Sequence, residues 1–448
     1  MAGTIIDYVK EYGDRSLEEF PMNDVDSLVL CQLAYLKFDG LVPGIRENKA
    51  SVTLKDIYIH ADYEKLYADE RYEKVNRALF EAALHGRRYA KLRLNCYINI
   101  IEKEWETQFS AVTFLLENGS LYIAYRGTDE TIIGWKEDFN MAFLDPVPGQ
   151  AYSVKYLNMV TGKLKSPLYL GGHSKGGNLA VYAAMKCLPS VKERIQKVYS
   201  MDGPGFRPEV LAGCKYEEIA ERVVKIMPHS SVVGMLFEKD IHYKTIESKT
   251  FGLAQHNPFT WVVKNGRFVD AGDIYESRRF MDEAINEWIL SLDEKQLRTF
   301  VDTFYQVISA SQAEDLITFA SDWRKSLTGI REALKEVDDK TVEMLKAIVR
   351  SLFDIMGERI RREWRDKPQK KLKAKKRPMK KPLRKKSLLK RQNKSAGTQN
   401  PDAGMLYSGG MHQGNKPPLL LAEPPVQQAY RPVEGKHYQD ALDATELQ

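Results

Sequence analysis

The sequence predicts an α/β fold with a mostly parallel central sheet, and three observations carry that prediction. From about Lys91 to residue 273, short apolar and β-branched runs alternate with segments of helical or loop character. That order yields parallel strands joined by crossover helices. A glycine-rich corner, Gly171-Gly172-His173-Ser174-Lys175-Gly176-Gly177, joins one such run to a helical pattern. The flanking stretches 1–90 and 274–366 carry apolar stripes of helical period instead.

The elements follow in chain order. SLEEFPMNDVDSLVLCQLAYLKFDGLVP and YEKVNRALFEAALHGRRYA each set an apolar stripe beside charged positions, so 1–90 reads as a helical lead-in packed on the core. The period then changes in RLNCYINIIEKE and in TQFSAVTFLLENGSLYIAYRG, where Asn118-Gly119 supplies a hairpin turn between two apolar strands. A Pro-bearing stretch runs to about Gln150, followed by a helix-like segment. Leu168, Tyr169 and Leu170 form the next strand, and Leu179, Ala180, Ala183, Ala184 and Leu188 the helix face packed on it. KVYSMD, RVVKIM and HYKTIES complete the strands of a core spanning 91–273. Residues 274–366 are expected to be helical, with Phe280, Ile285, Trp288, Leu290, Leu297 and Phe300 among the apolar positions.

Composition bounds the function. A chain of 448 residues with 43% hydrophobic content builds a sizeable core. The net charge of +6 suggests a basic protein, yet 367–394 alone holds fifteen Lys or Arg and no acid, leaving −9 for the remainder. Electrostatic binding of nucleic acid or an anionic membrane is thereby confined to one basic linker, Lys367 to Lys394. That linker lacks aromatics for base stacking and an apolar helix face, which argues against sequence-specific recognition. Residues 395–448, rich in Gly, Pro, Gln and Asn, read as a disordered tail. Cys31, Cys96, Cys187 and Cys214 form no CxxC pair, so reduced thiols are expected, with no zinc and no redox dithiol. No metal and no cofactor are expected. The N-terminus has no basic start followed by an apolar core, and no run of eighteen apolar residues occurs, so a cytoplasmic protein is expected.

The corner carries the chemistry. Glycines two positions either side of Ser174 allow a strained strand-to-helix turn with an exposed hydroxyl, the nucleophile elbow of an α/β-hydrolase fold. A serine nucleophile needs a base, an acid that orients it, and two N–H donors for the oxyanion. Of the eight histidines, His229, His242 and His256 follow Ser174 outside the tail, and His256 lies on a loop past the last core strand, where the base belongs. Asp202 closes KVYSMD ahead of Gly203-Pro204-Gly205 and is the candidate acid; Glu238 and Asp240 are the alternatives. The oxyanion donors would be the N–H groups of Lys175 and Thr128. His173 is assigned a structural role, and Arg126 an ion pair with Asp129 or Asp138.

Taken together, YRGTD, the Trp135 to Asp138 spacing in WKED, GHSKGGNLA and QHNPFTW resemble the class 3 lipase pattern, with the best match in the Mbeg-like α/β-hydrolases, a group of bacterial proteins. NDVDSLVLCQLAYLKFDGLV and DGPGF extend the likeness to roughly residues 15 to 355. The resemblance implies a serine hydrolase that cleaves an ester, thioester or acylglycerol-like bond of a small-molecule acyl substrate. Two departures stand out. Class 3 lipases carry their acid in the loop that here reads MPHSSVVG, which favours Asp202, and Lys175 replaces the usual leucine, which suggests a more polar mouth. The other reading is a binding or scaffold protein, weakly active or inactive, on a hydrolase fold.

Overall fold

Eight strands lie side by side in chain order: β1 (Val52–Thr53), β2 (Arg93–Glu102), β3 (Thr107–Leu115), β4 (Leu121–Tyr125), β5 (Leu168–His173), β6 (Ile195–Met201), β7 (Val223–Pro228) and β8 (Tyr243–Ile246). The neighbours from β4 to β8 are parallel and those from β1 to β4 antiparallel. The structure is a computed structural model. It describes residues 2–310, apart from 69–71, 103–106, 129–139, 142–143, 232, 239–242, 251 and 273–275, and also 342–343. The basic linker 367–394, the tail 395–448, most of 311–366, Asp129, Trp135, Asp138, Asp240, His242 and the Phe280 side chain lie outside the described residues. The chain divides into two units, Met1–Asp366 with Val433–Gln448 and Lys367–Pro432, and everything described belongs to the first.

Numbering the described helices of eight residues or more, these are α1 (Ile5–Tyr12), α2 (Asp24–Leu33), α3 (Glu73–His85), α4 (Pro148–Lys163), α5 (Lys175–Lys186), α6 (Glu276–Ser291) and α7 (Glu294–Ala310). Parallel strands laid down in chain order return by crossovers of one hand, which keeps α4 and α5 on one face. The opposite face would be bare, and the lead-in helices cover it. Alternation along β4 shows both coverings: Leu121, Ile123 and Tyr125 join the cluster under α4 and α5, while Tyr122 and Ala124 join the one under α1, α2 and α3. With both faces covered, the strands read as near-continuous apolar runs.

The lead-in is tied down by buried polar contacts as well as packing. Asn23 caps α2 and receives Asp26 in return through a capping box. The same Asp26 carboxylate accepts Arg88 Nε at 2.7 Å and Nη2 at 2.5 Å, together with the Tyr89 hydroxyl. Arg88 Nη1 donates to Phe20 O at 2.7 Å, which holds the chain that enters α2. Tyr122 Oη on β4 meets Ser27 Oγ of α2 at 2.6 Å. Such groups are tolerated in the interior because each has a partner.

At the far end, Ala284 and Trp288 of α6 and Leu297 and Val301 of α7 are buried, whereas Leu290 faces outward. A second, two-stranded ribbon, β9 (Val263–Lys264) and β10 (Arg267–Phe268), turns on Asn265 and Gly266, both with positive φ. The sequence reading had not assigned that hairpin.

Candidate active site

The corner at Ser174 is set by the backbone. Ser174 takes φ 59° and ψ −133°, a conformation that L residues avoid, between the last residue of β5 and the first of α5. A Cβ at Gly172 would lie 2.1 Å from the Gly176 carbonyl carbon, and one at Gly176 would lie 2.2 Å from Tyr125 O. Helix and strand therefore approach as closely as backbones allow, and only glycine fits at either position. The Ser174 amide donates to Met201 O at 3.0 Å, joining the corner to β6. Lys175 opens α5, so its amide stands at a helix N-terminus, where the dipole favours negative charge. At the end of β4, a Cβ on Gly127 would come within 2.6 Å of His173 O and 3.2 Å of Ser174 Cβ. The segment bearing Thr128 thus runs directly alongside the corner.

Asp202 occupies the equivalent corner of β6, also left-handed at φ 52°. It is completely buried, and its amide donates to Ile226 O of β7 at 2.7 Å. Its Oδ2 accepts from His256 Nδ1 at 2.7 Å, and its Oδ1 accepts from the Ser231 hydroxyl. The His256 ring packs against that of His173, with 4.7 Å between centroids, one residue from Ser174. His173 Nε2 donates to His256 O at 2.9 Å, and its Nδ1 lies 3.3 Å from Tyr35 Oη. Because Nε2 faces a carbonyl, which can only accept, it carries a proton. His173 thus acts on the backbone of the loop carrying His256.

That loop is gripped from its other side by Gln255, whose Oε1 accepts from Ser230 N at 2.8 Å and whose Nε2 donates to Thr250 O at 2.7 Å. Trp261, fully buried, donates Nε1 to Gln255 O at 2.8 Å. Sequence reasoning did not single out Ser231, Gln255, Trp261 or Tyr35. QHNPFTW does flank His256 with a buried amide and a buried indole, but their partners lie in other segments.

The other candidates separate cleanly. Glu238 forms a buried ion pair with Lys225 of β7 rather than with a histidine. Burial pushes the Glu238 carboxyl upward from its ordinary range, and the Lys225 ammonium opposes that rise. Asp240 and His242 lie outside the described residues. Arg126 is buried, and its Nη2 donates to Asn99 Oδ1 at 2.7 Å. Lys175 departs from the sequence expectation. It is 1% exposed, and its Nζ donates to Gln108 O and Gln108 Oε1 of β3, each at 2.9 Å. Its side chain reaches the first residues of β3 and is buried there, so it adds no exposed charge beside Ser174. All four cysteines are buried; burial raises the Cys31 thiol to about 12 and that of Cys187 to about 11, which leaves both thiols protonated at neutral pH. Among the described residues no His, Cys, Asp or Glu cluster could hold a metal ion, and no helix is long and apolar enough to cross a membrane.

A family model described as Mbeg1-like matches residues 83–306, half of the chain, from α3 to α7. No curated protein matches the sequence. Among solved structures, the chain is similar to that titled "Crystal structure of M37 lipase", at 15% identity and a TM-score of 0.31, covering 48% of this chain and 70% of that one.

Proposed function

The chain belongs to the Mbeg1-like family, and we propose that it is a serine hydrolase cleaving an ester, thioester or acylglycerol-like bond through an acyl-enzyme. Ser174 Oγ attacks the acyl carbonyl, and His256 takes the hydroxyl proton. Asp202 already occupies His256 Nδ1, so Nε2 is the nitrogen left for that proton. The leaving group departs with the proton from His256, and water then releases the acyl group by the same route in reverse. The backbone N–H groups of Lys175 and Thr128 hold the oxyanion.

One observation carries this reading: a buried Asp202–His256 pair whose imidazole packs on the ring of His173, the residue before a serine held at a left-handed strand-to-helix corner. A left-handed serine costs roughly 1–3 kcal/mol. The test is labelling of the full chain with a fluorophosphonate probe, with turnover measured on short-chain and long-chain esters. Labelling that disappears in Ser174→Ala is the expected result. Labelling that persists in that variant, or a wild-type chain that neither labels nor turns over, would sink the proposal and favour a binding protein on a hydrolase fold.

A further inference from the structure

We infer that Ser231 is the positioning residue of the acid–base pair, holding Asp202 in the orientation that serves His256; the inference rests on the serine-hydrolase reading above. The Asp202 carboxylate is held at both oxygens. His256 Nδ1 donates to Oδ2 at 2.7 Å, and the Ser231 hydroxyl donates to Oδ1. Rotation about the carboxylate bond is otherwise a broad, two-fold torsion, and a donor on each oxygen restricts it. Ser231 is itself directed. Gly234 N donates to Ser231 Oγ at 2.9 Å, so the amide takes a lone pair of the hydroxyl while its proton goes to Asp202.

The loop that presents Ser231 is anchored on α6 as well as at the site. Asn286 of α6 accepts from Phe237 N and donates to Met235 O, each at 2.9 Å. Ser231 N donates to Pro228 O at 3.0 Å, and Ser230 N binds Gln255, the neighbour of His256. The same loop thus braces the acid through Ser231 and the base through Gln255. Ser231 is 1% exposed and Asp202 0%, so their hydrogen bond is held away from bulk solvent.

The chemistry gives the sign of the effect. A hydroxyl donating to one carboxylate oxygen draws negative charge away from the other. Without it, Oδ2 holds the protonated imidazole more strongly, while the carboxylate gains freedom to turn. Among the described residues, the titratable groups recorded against the His256 ring are Asp202 at the end of β6 and His173 at the end of β5, with Tyr35 behind His173. None of these is altered by removing the Ser231 hydroxyl.

The experiment follows the His256 ring in the full-length chain labelled with 15N-histidine, assigned by His256→Gln, alongside ester kinetics. In Ser231→Ala the His256 titration moves to higher pH. Its kcat falls about 10- to 100-fold, the value of one hydrogen bond to a charged group, with KM unchanged. Ser231→Thr, which keeps the hydroxyl, restores both. A His256 titration that is the same in Ser231→Ala as in the wild type overturns the inference, and so does a loss of kcat that Ser231→Thr fails to restore. If the wild-type chain neither labels nor turns over, the hydrolase reading fails separately, while the titration still decides the place of Ser231.

Discussion

At the carboxyl ends of the neighbouring strands β5 and β6 the chain turns through a left-handed residue that is not glycine, Ser174 at φ 59° and Asp202 at φ 52°, and the two corners are held by different means. The Ser174 corner is locked by backbone against backbone, with Gly172 and Gly176 allowing β4, β5 and α5 to close on one another. The Asp202 corner is held by side chains from remote segments, Ser231 and His256, 29 and 54 residues away in sequence. A nucleophile must be fixed at the moment of attack, which backbone sterics achieve. An acid must present a particular oxygen to a particular nitrogen, which calls for directed hydrogen bonds.

The largest effect is expected at Asp202. Asp202→Asn should lower kcat by about 10⁴-fold while the far-UV circular dichroism spectrum stays that of the wild type, since an amide can stabilise the wrong tautomer of His256. A loss of only a few fold would mean that another carboxylate serves the base. Gly172→Ala attacks the other corner and should act on the fold. With backbone atoms 2.1 Å from the new Cβ, about 3 kcal/mol of stability should be lost in denaturant titration, and fluorophosphonate labelling should fall with it. Full stability in that variant would show that the corner can relax.

Lys175 lies next to Ser174 and yet is buried against β3. Lys175→Met should cost about 2 kcal/mol through the stranded acceptors of Gln108, with the relative rates on short-chain and long-chain esters unchanged. A changed chain-length preference would place the side chain at the mouth after all. The smallest effect is expected at Tyr35→Phe, which removes one partner of His173 at 3.3 Å and should shift stability by about 1 kcal/mol or less, with kcat nearly untouched.

The two corners also differ in how far they can be read from the residues alone. The elbow is legible because its determinants, two glycines around a serine between an apolar strand and a helix, fall within one short stretch. Asp202 is legible only as a carboxylate at a strand end, and His256 only as a late loop histidine, since nothing local says that they meet. Ser231 was passed over in a loop that looked empty because it holds no carboxylate. Lys175 in place of the usual leucine suggests a more polar mouth, and nothing local shows that its partner is Gln108, 67 residues away in sequence. The Asn265-Gly266 hairpin is a different case, because its turn signal lies wholly within VVKNGRFV.

From its own sequence the protein determines an α/β sheet, helices before and after it, and a serine at a glycine-walled corner, because strand period, helix period and glycine sterics act over a few residues. Only the tertiary structure decided which carboxylate meets which histidine, where the lysine beside Ser174 goes, and which serine meets that carboxylate. Those outcomes depend on hydrogen bonds between segments tens of residues apart, whose partners become neighbours only when β5, β6, β7 and the loops beyond them are laid side by side.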